Sequence, residues 1–254
     1  MVKLIASRLA DKDEVRKAKV FPYQLLCAWK MASGVPGPVQ EALEDAMEHA
    51  VINIPEIDGH VVICPDVSGS MQGSVTGYRK GATSAVRCVD VAGLIAAAFL
   101  RKNPLARVIP FEQDVVQLRL NPRDSVMTIA QTLASIGGGG TSCSAPLSLL
   151  NKERAKVDAV IYVSDNESWV DAQGRSGYQR GTAMMDQWLK LRQRNPQAKL
   201  VCIDLTPNTH KQAIDRPDIL NVGGFSDTVF DVVAQFVKAD GAAHWAELID
   251  QVEL

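Results

Sequence analysis

From residue 60 to the end, the chain alternates between short apolar runs and longer stretches in which apolar residues recur every three or four positions. That change of period is what strands followed by covering helices produce. The runs at 60–65, 158–165, 199–205 and 219–222 predict buried strands, and 106–111 with 114–118 predicts two strands joined by a tight turn at Glu112 and Gln113. Between them, 85–102 reads as a helix apolar nearly all round. A helix capped by Asp124 or Ser125 runs through Leu133 and Ile136, and another spans 145 to about 151. A helix with Met184, Met185, Trp188 and Leu189 as core residues, one over 228–238 and a short one around 243–249 complete the series. Repeated strand, crossover helix, strand units predict an α/β fold: a doubly wound, mainly parallel sheet flanked by helices, over residues 58–254.

Residues 1–57 form a helical segment of different character. Leu4, Ile5, Leu9, Val15, Tyr23, Leu25, Leu26, Ala28 and Trp29 fall at helical spacing, with Pro22 suited to a first turn. After the break at Gly34, Pro36 and Gly37, a helix from about Pro38 places Val39, Leu43, Ala46, Met47 and Ala50 on one face. Such helices cannot bury their faces alone. They read as helices packed on the following domain or as the end of a larger helical domain, excised or shortened.

Charge and cysteine usage narrow the classes. With 27 Lys+Arg against 29 Asp+Glu, the chain as a whole is no electrostatic nucleic-acid binder. The scattered Cys27, Cys64, Cys88, Cys143 and Cys202 form no CxxC pair, which predicts reduced thiols and no structural zinc. No apolar run approaches the roughly 18 residues of a membrane span, and no signal pattern opens the chain. A cytoplasmic protein is expected. His49, His60, His210 and His244 lack partners at metal-ligand spacing.

The chemistry concentrates at strand ends. The run at 60–65 stops at Asp66, Ser68 and Ser70; Thr141 closes a glycine run, 137–140; Asp165 ends the run at 158–165. Open α/β sheets bind ligands at this carboxyl edge. Two carboxylates and three hydroxyls are ligands for a hard cation, Mg²⁺ first and Mn²⁺ next. Four consecutive glycines imply a close backbone approach there. They are no phosphate loop, because no Lys follows and a helix precedes them. Asp-x-Ser also resembles an aspartyl-phosphate site, but Ser68 stands where a second acid would act as general acid or base. Tyr78, Arg79, Lys80 and Arg87 make a modest basic stretch beside the metal residues, read either as a solvated loop or as a phosphate contact. Asn166, Glu167 and Trp169 follow Asp165 and should rim the same face.

Asp66-x-Ser68-x-Ser70, then Thr141, then Asp165 resembles the metal-ion-dependent adhesion site (MIDAS) of von Willebrand factor A domains, over roughly residues 58–240. The resemblance implies that the serines and the threonine touch the metal, that the aspartates act largely through water, and that an acidic ligand takes the remaining position. Asp-Val-Ser-Gly-Ser-Met with its long following loop, Gly-Gly-Gly-Thr-x-Cys and Ser-Asp-Asn-Glu-Ser are similar to the A domain of Ro autoantigen (TROVE) proteins. Residues 4–30, with Arg-Leu-Ala-Asp and Val-Phe-Pro-Tyr-Gln-Leu-Leu, resemble the last helices of that family's helical ring. Ro proteins bind small noncoding Y RNAs and misfolded RNA chiefly through the ring, most of which has no counterpart in this sequence.

The expectation is a non-catalytic module of a ribonucleoprotein. Mg²⁺ or Mn²⁺ sits on Asp66, Ser68, Ser70, Thr141 and Asp165, with Gly139, Gly140, Asn166 and Glu167 around the ligand, and the metal captures an acidic group of a protein partner. The second reading is direct contact with Y-type RNA through loop 72–84, with Arg79, Lys80 and Arg87 on phosphate. A metal-dependent phosphohydrolase is the least favoured.

Overall fold

Alternation along the strands decides which side chains meet which layer. In the computed structural model, which describes residues 1–32, 34–76, 85–103, 105–165, 182–207, 213–226 and 228–238, five strands pair in parallel. They are β1 (Val61–Pro65), β2 (Arg107–Val108), β3 (Ala159–Ser164), β4 (Lys199–Asp204) and β5 (Ile219–Gly223), in the order β2-β1-β3-β4-β5. Val62, Val160 and Leu200 stand in register, as do Cys64, Tyr162 and Cys202. These even-numbered residues face Leu147 and Leu150 of a helix over Ala145–Glu153 and Met184, Trp188 and Leu191 of one over Thr182–Arg194. Ile63, Ile161, Val163, Val201 and Ile203 point the other way and pack on a second set of helices. Both faces are therefore covered, which is why the strands read as unbroken apolar runs.

In chain order the helices are α1 (Val2–Leu9), α2 (Lys12–Lys17), α3 (Pro22–Met31), α4 (Gly37–Ala50), α5 (Cys88–Lys102), α6 (Val126–Ala134), α7 (Ala145–Glu153), α8 (Thr182–Arg194) and α9 (Val229–Lys238). Helix α5 is apolar all round because both of its faces are used. Val89, Val91, Leu94, Ile95 and Phe99 have no exposed surface, lying between the sheet and a layer made by α3, α4 and α6. The N-terminal helices thus share one core with the sheet: Leu26, Leu43, Met47 and Ala50 belong to it. Glu48 of α4 pairs with Arg101 of α5 at 2.9 Å and also accepts from the backbone of Val126 at the start of α6. Tyr23 meets the ring of Phe225 edge-on, at 4.9 Å between centroids. Helix α1 buries none of its residues and leaves Leu4 and Ile5 exposed.

Several expectations need correction. The strand expected over 106–111 is only two residues long: Ile109 N still donates to Ile63 O at 2.8 Å and Phe111 N to Pro65 O at 3.1 Å, but Pro65 on β1 has no N–H to return a bond between them. Residues 114–118 do not form a strand; Val115 makes an isolated bridge to Phe111, inside a turn closed by Glu112 N to Asp114 O at 2.9 Å. Ser125 rather than Asp124 caps α6, accepting from Thr128 N at 3.0 Å. Leu189 is exposed, and Leu191 takes its place in the core. The loop over 166–177 and the helix expected at 243–249 lie outside the described residues.

The strand order sets the place for a site. From β1 the chain passes through α5 to β2 on one side and later enters β3 on the other, so the connections diverge at the carboxyl ends of β1 and β3. Such a switch point opens a crevice.

Gly93 brings α5 against α6: a Cβ there would stand 2.7 Å from Ala130 O. Helix propensity favours Ala over Gly by about 1 kcal/mol, but forcing two backbones apart costs about 1–3 kcal/mol. Gly93→Ala is therefore expected to lower stability by roughly 1–2 kcal/mol in urea denaturation; a stabilised variant would show that the helices part freely.

Candidate functional site

As the chain leaves β1 it is held from both sides of the crevice. Asp66 N donates to Val163 O on β3 at 2.9 Å, and Val67 N donates to Phe111 O on the β2 side at 2.9 Å. Asp66 is wedged at the seam with no exposed surface. Its two carboxylate oxygens are satisfied from different elements. Oδ1 accepts from Ser68 N at 2.9 Å, a turn that brings Ser68 back beside it, and Oδ2 accepts from the Ser164 hydroxyl at 2.7 Å. Burial pushes the Asp66 carboxyl up to about 7; the Ser68 and Ser164 hydrogen bonds oppose this, and the charge of Asp165 adds to it.

Ser68 is fully buried, and its hydroxyl oxygen lies 3.2 Å from that of Ser70. Met71, also fully buried, anchors the short turn that carries Ser70. Thr141, 1 % exposed, and Asp165, 5 % exposed, come to the same edge on separate connections. Among the described residues no group of three or more His, Cys, Asp and Glu gathers as a metal cluster. Hydroxyl oxygens therefore make up most of the possible donors here.

The glycine run does make a close approach. Gly69 N donates to Gly139 O at 3.0 Å, tying the loop after β1 to the glycine loop. Gly137, at φ +144°, would put a Cβ 2.8 Å from Val67 O, and Gly139 would put one 2.7 Å from the Glu112 carboxylate. That carboxylate accepts from Gly139 N at 3.0 Å, and Glu112 O accepts from Ser142 N at 2.8 Å, so Glu112 holds both sides of Thr141.

Asp66, Ser68, Ser70, Gly139, Gly140, Thr141 and Asp165 thus share one edge. Arg79, Lys80, Asn166 and Glu167, with Tyr78 and Trp169, lie outside the described residues. Arg87 is described and committed inward: its guanidinium holds both Asp90 oxygens, at 3.1 and 2.8 Å, and reaches Gln72 Oε1 at 2.5 Å. Sequence reasoning missed Glu112, Ser164 and Asp204. Ser164 and Asp204 are the last residues of β3 and β4, so the rule that singled out Asp165 could have found them. Asp204 adds to the acidity of the edge. Cys88, at the start of α5, is pushed up to about 12 by burial and by the charges of Asp165, Asp204 and Asp66, and stays a neutral thiol at neutral pH.

Several known proteins are similar to this chain. An "RNA-binding protein RO60" of Deinococcus radiodurans is 29 % identical over 252 residues, covering 94 % of this chain and 45 % of its own length. Its Caenorhabditis elegans namesake is 22 % identical over 250 residues, covering 92 % and 36 %. The crystal structure of the Deinococcus radiodurans RO (RSR) protein superposes with a TM-score of 0.71 at 26 % identity, over 93 % of this chain and 48 % of that one. The chain therefore spans about half the length, or less, of the relatives it matches. The family model of the Ro60 vWA domain matches residues 60–237, most of the sequence, and the chain belongs to that family.

Proposed function

We propose that the carboxyl edge of this sheet holds a divalent cation and through it grips an acidic group of a protein partner, as one part of a Ro-type RNA-binding protein. The donor set carries this reading. Asp66, Ser68, Ser70, Thr141 and Asp165 meet at one edge, all of them oxygen donors and four of the five buried. Such a set suits Mg²⁺ or Mn²⁺. The residues fit the ion in a second respect: a buried carboxyl raised to about 7 lacks a counter-charge, which a cation would provide. When bound, the cation offers an incoming carboxylate an electrophilic position, because three of its five donors are neutral hydroxyls. The reading is binding rather than turnover, since Ser68 stands where a second acid would act as general acid or base. RNA enters as a partner of the intact protein through the relatives named RNA-binding protein RO60.

Asp66 gives this reading a pH signature. Its folded-state value of about 7 lies above the ordinary 3.8. The stability it contributes as a neutral group is present at low pH and lost as pH rises through about 7. Without metal, Asp66→Asn should be more stable than the parent by an amount that grows by about 1 kcal/mol per pH unit between pH 5 and 7 and then levels off. Urea denaturation in chelator measures this, and a gain independent of pH would refute the buried-charge account.

Cation binding must displace that proton. Calorimetric Mg²⁺ or Mn²⁺ affinity should therefore rise by up to about tenfold per pH unit below pH 7 and flatten above. Asp66→Asn and Asp165→Asn should abolish it, and unchanged divalent binding in both would sink the metal reading. A glutamate-bearing peptide library should be retained in Mg²⁺ and released by chelator; retention indifferent to chelator argues against capture through the metal.

A further inference from the structure

At the other end of the strands the surface has the opposite chemistry. A groove of about 410 Å³ runs between residues 154–158, which lead α7 into β3, and residues 194–198, which lead α8 into β4. It lies at the amino-terminal edge of the sheet, roughly 20 Å, the length of a six-residue strand, from the edge that carries Asp66 and Asp165. Arg154 and Lys156 line one wall and Arg194 the other. Among the described residues, neither Arg154 nor Lys156 has an ion-pair partner, and both are exposed. The nearby acids are engaged elsewhere: Glu153 pairs with Arg107, and Asp158, the one acid lining the groove, accepts from His60 N at 2.7 Å.

Two observations set this groove apart from a scatter of surface cations. Its walls are cross-linked. The Asn195 side chain donates to Ala155 O at 3.2 Å and accepts from Val157 N at 3.1 Å, while Arg192 donates to Ala198 O at 3.0 Å. Arg194 is held by the side-chain oxygen of Asn151. The trough is thus built before anything binds. Independently, Arg154 ends α7 at φ 52°, ψ 39°, the left-handed position that glycine adopts with least strain. A long cation there works against the local backbone preference and places its charge at the rim of the groove.

We propose that this groove grips the phosphate backbone of single-stranded RNA. An open trough with cations on both walls suits a repeating line of charge, whereas a small anion needs donors converging on one point. The proposal rests on the intact protein being an RNA binder and not on the metal edge.

The test is fluorescence anisotropy of a fluorescein-labelled oligouridine with the whole chain, across a salt series, in chelator and in Mg²⁺. The wild type should bind equally in both. Arg154→Gly with Lys156→Ala should weaken binding at least about tenfold and lower the logarithmic salt slope by roughly 1.4, for two contacts on a single strand. Arg154→Gly alone should keep or raise Tm, because glycine relieves the left-handed position, so its loss of affinity cannot be blamed on unfolding. Unchanged affinity and slope in the double variant overturn the proposal. So does RNA binding that requires Mg²⁺, which would move the contact to the metal edge. Competition by inorganic phosphate as strong as by unlabelled oligouridine at equal phosphate concentration, or loss of phosphatidylserine-vesicle binding with RNA binding intact, overturns it as well. An absence of RNA binding sinks this groove alone and leaves the Mg²⁺ titration of the other edge standing.

Discussion

A carboxylate with no exposed surface has to be held, and the holding of Asp66 organises the rest of this domain. Its backbone pairs with β3, the next residue pairs toward β2, and its two oxygens are divided between Ser68 N and the Ser164 hydroxyl. All of those bonds but the local one from Ser68 N tie the end of β1 to its neighbours at the point where the strand order diverges. A charge buried in this way is costly unless neutralised, and the fold leaves it only partly compensated: Asp66 is driven up to about 7, with Asp165 adding repulsion. The penalty is local and electrostatic: the two oxygens of the carboxylate are hydrogen-bonded while its charge is not balanced.

The apolar runs were legible as strands because their register is set by sheet burial. Val62, Val160 and Leu200 sit on one face and Ile63, Ile161 and Val201 on the other, and no tertiary detail was needed to place them. Asp66, Ser68, Ser70 and Asp165 stood out for a related reason, as polar residues where an apolar run stops, and Thr141 stood out by the glycine run before it. Glu112 was not legible. In the sequence it looks like a turn residue, and only the folded loop shows its carboxylate receiving Gly139 N while its carbonyl receives Ser142 N. The short edge strand was over-read because its own residues do not show that the facing residue on β1 is Pro65, which has no N–H. Leu189 was misplaced by one step of helical phase, the slip to which short helices are most prone.

Arg87 shows how a cation singled out in the sequence can be engaged inside the fold. In sequence it completes a basic stretch; in the structure it serves the start of α5, where its backbone N–H and guanidinium both bond Asp90. Burial alone would raise Asp90, but the hydrogen bonds from Arg87 and from Lys30 outweigh it and hold that carboxyl below its ordinary range. An ion pair between exposed residues is worth little, whereas breaking one around a carboxylate only 4 % exposed leaves an uncompensated buried charge.

That difference in magnitude bears on the N-terminal helices. Lys30 of α3 reaches Asp90 at 3.1 Å, Asp90 holds Arg87, and Arg87 holds Gln72. The Gln72 amide in turn lies where a side chain on Gly137 would have to go. A line of charged and polar contacts therefore runs from α3 to Gln72, beside the glycine loop. The helical segment packs into the same core as α5 and also supplies one of the two cations on Asp90. Removing it would uncover the part of the α5 core that Leu26, Leu43 and Met47 complete and would leave Asp90 with Arg87 alone. The relatives align across these helices as well as across the sheet, over 94 % and 92 % of this chain. In physical terms the A domain and helices α3 and α4 are one folded unit, because they share a core and because the two cations on buried Asp90 come one from each part.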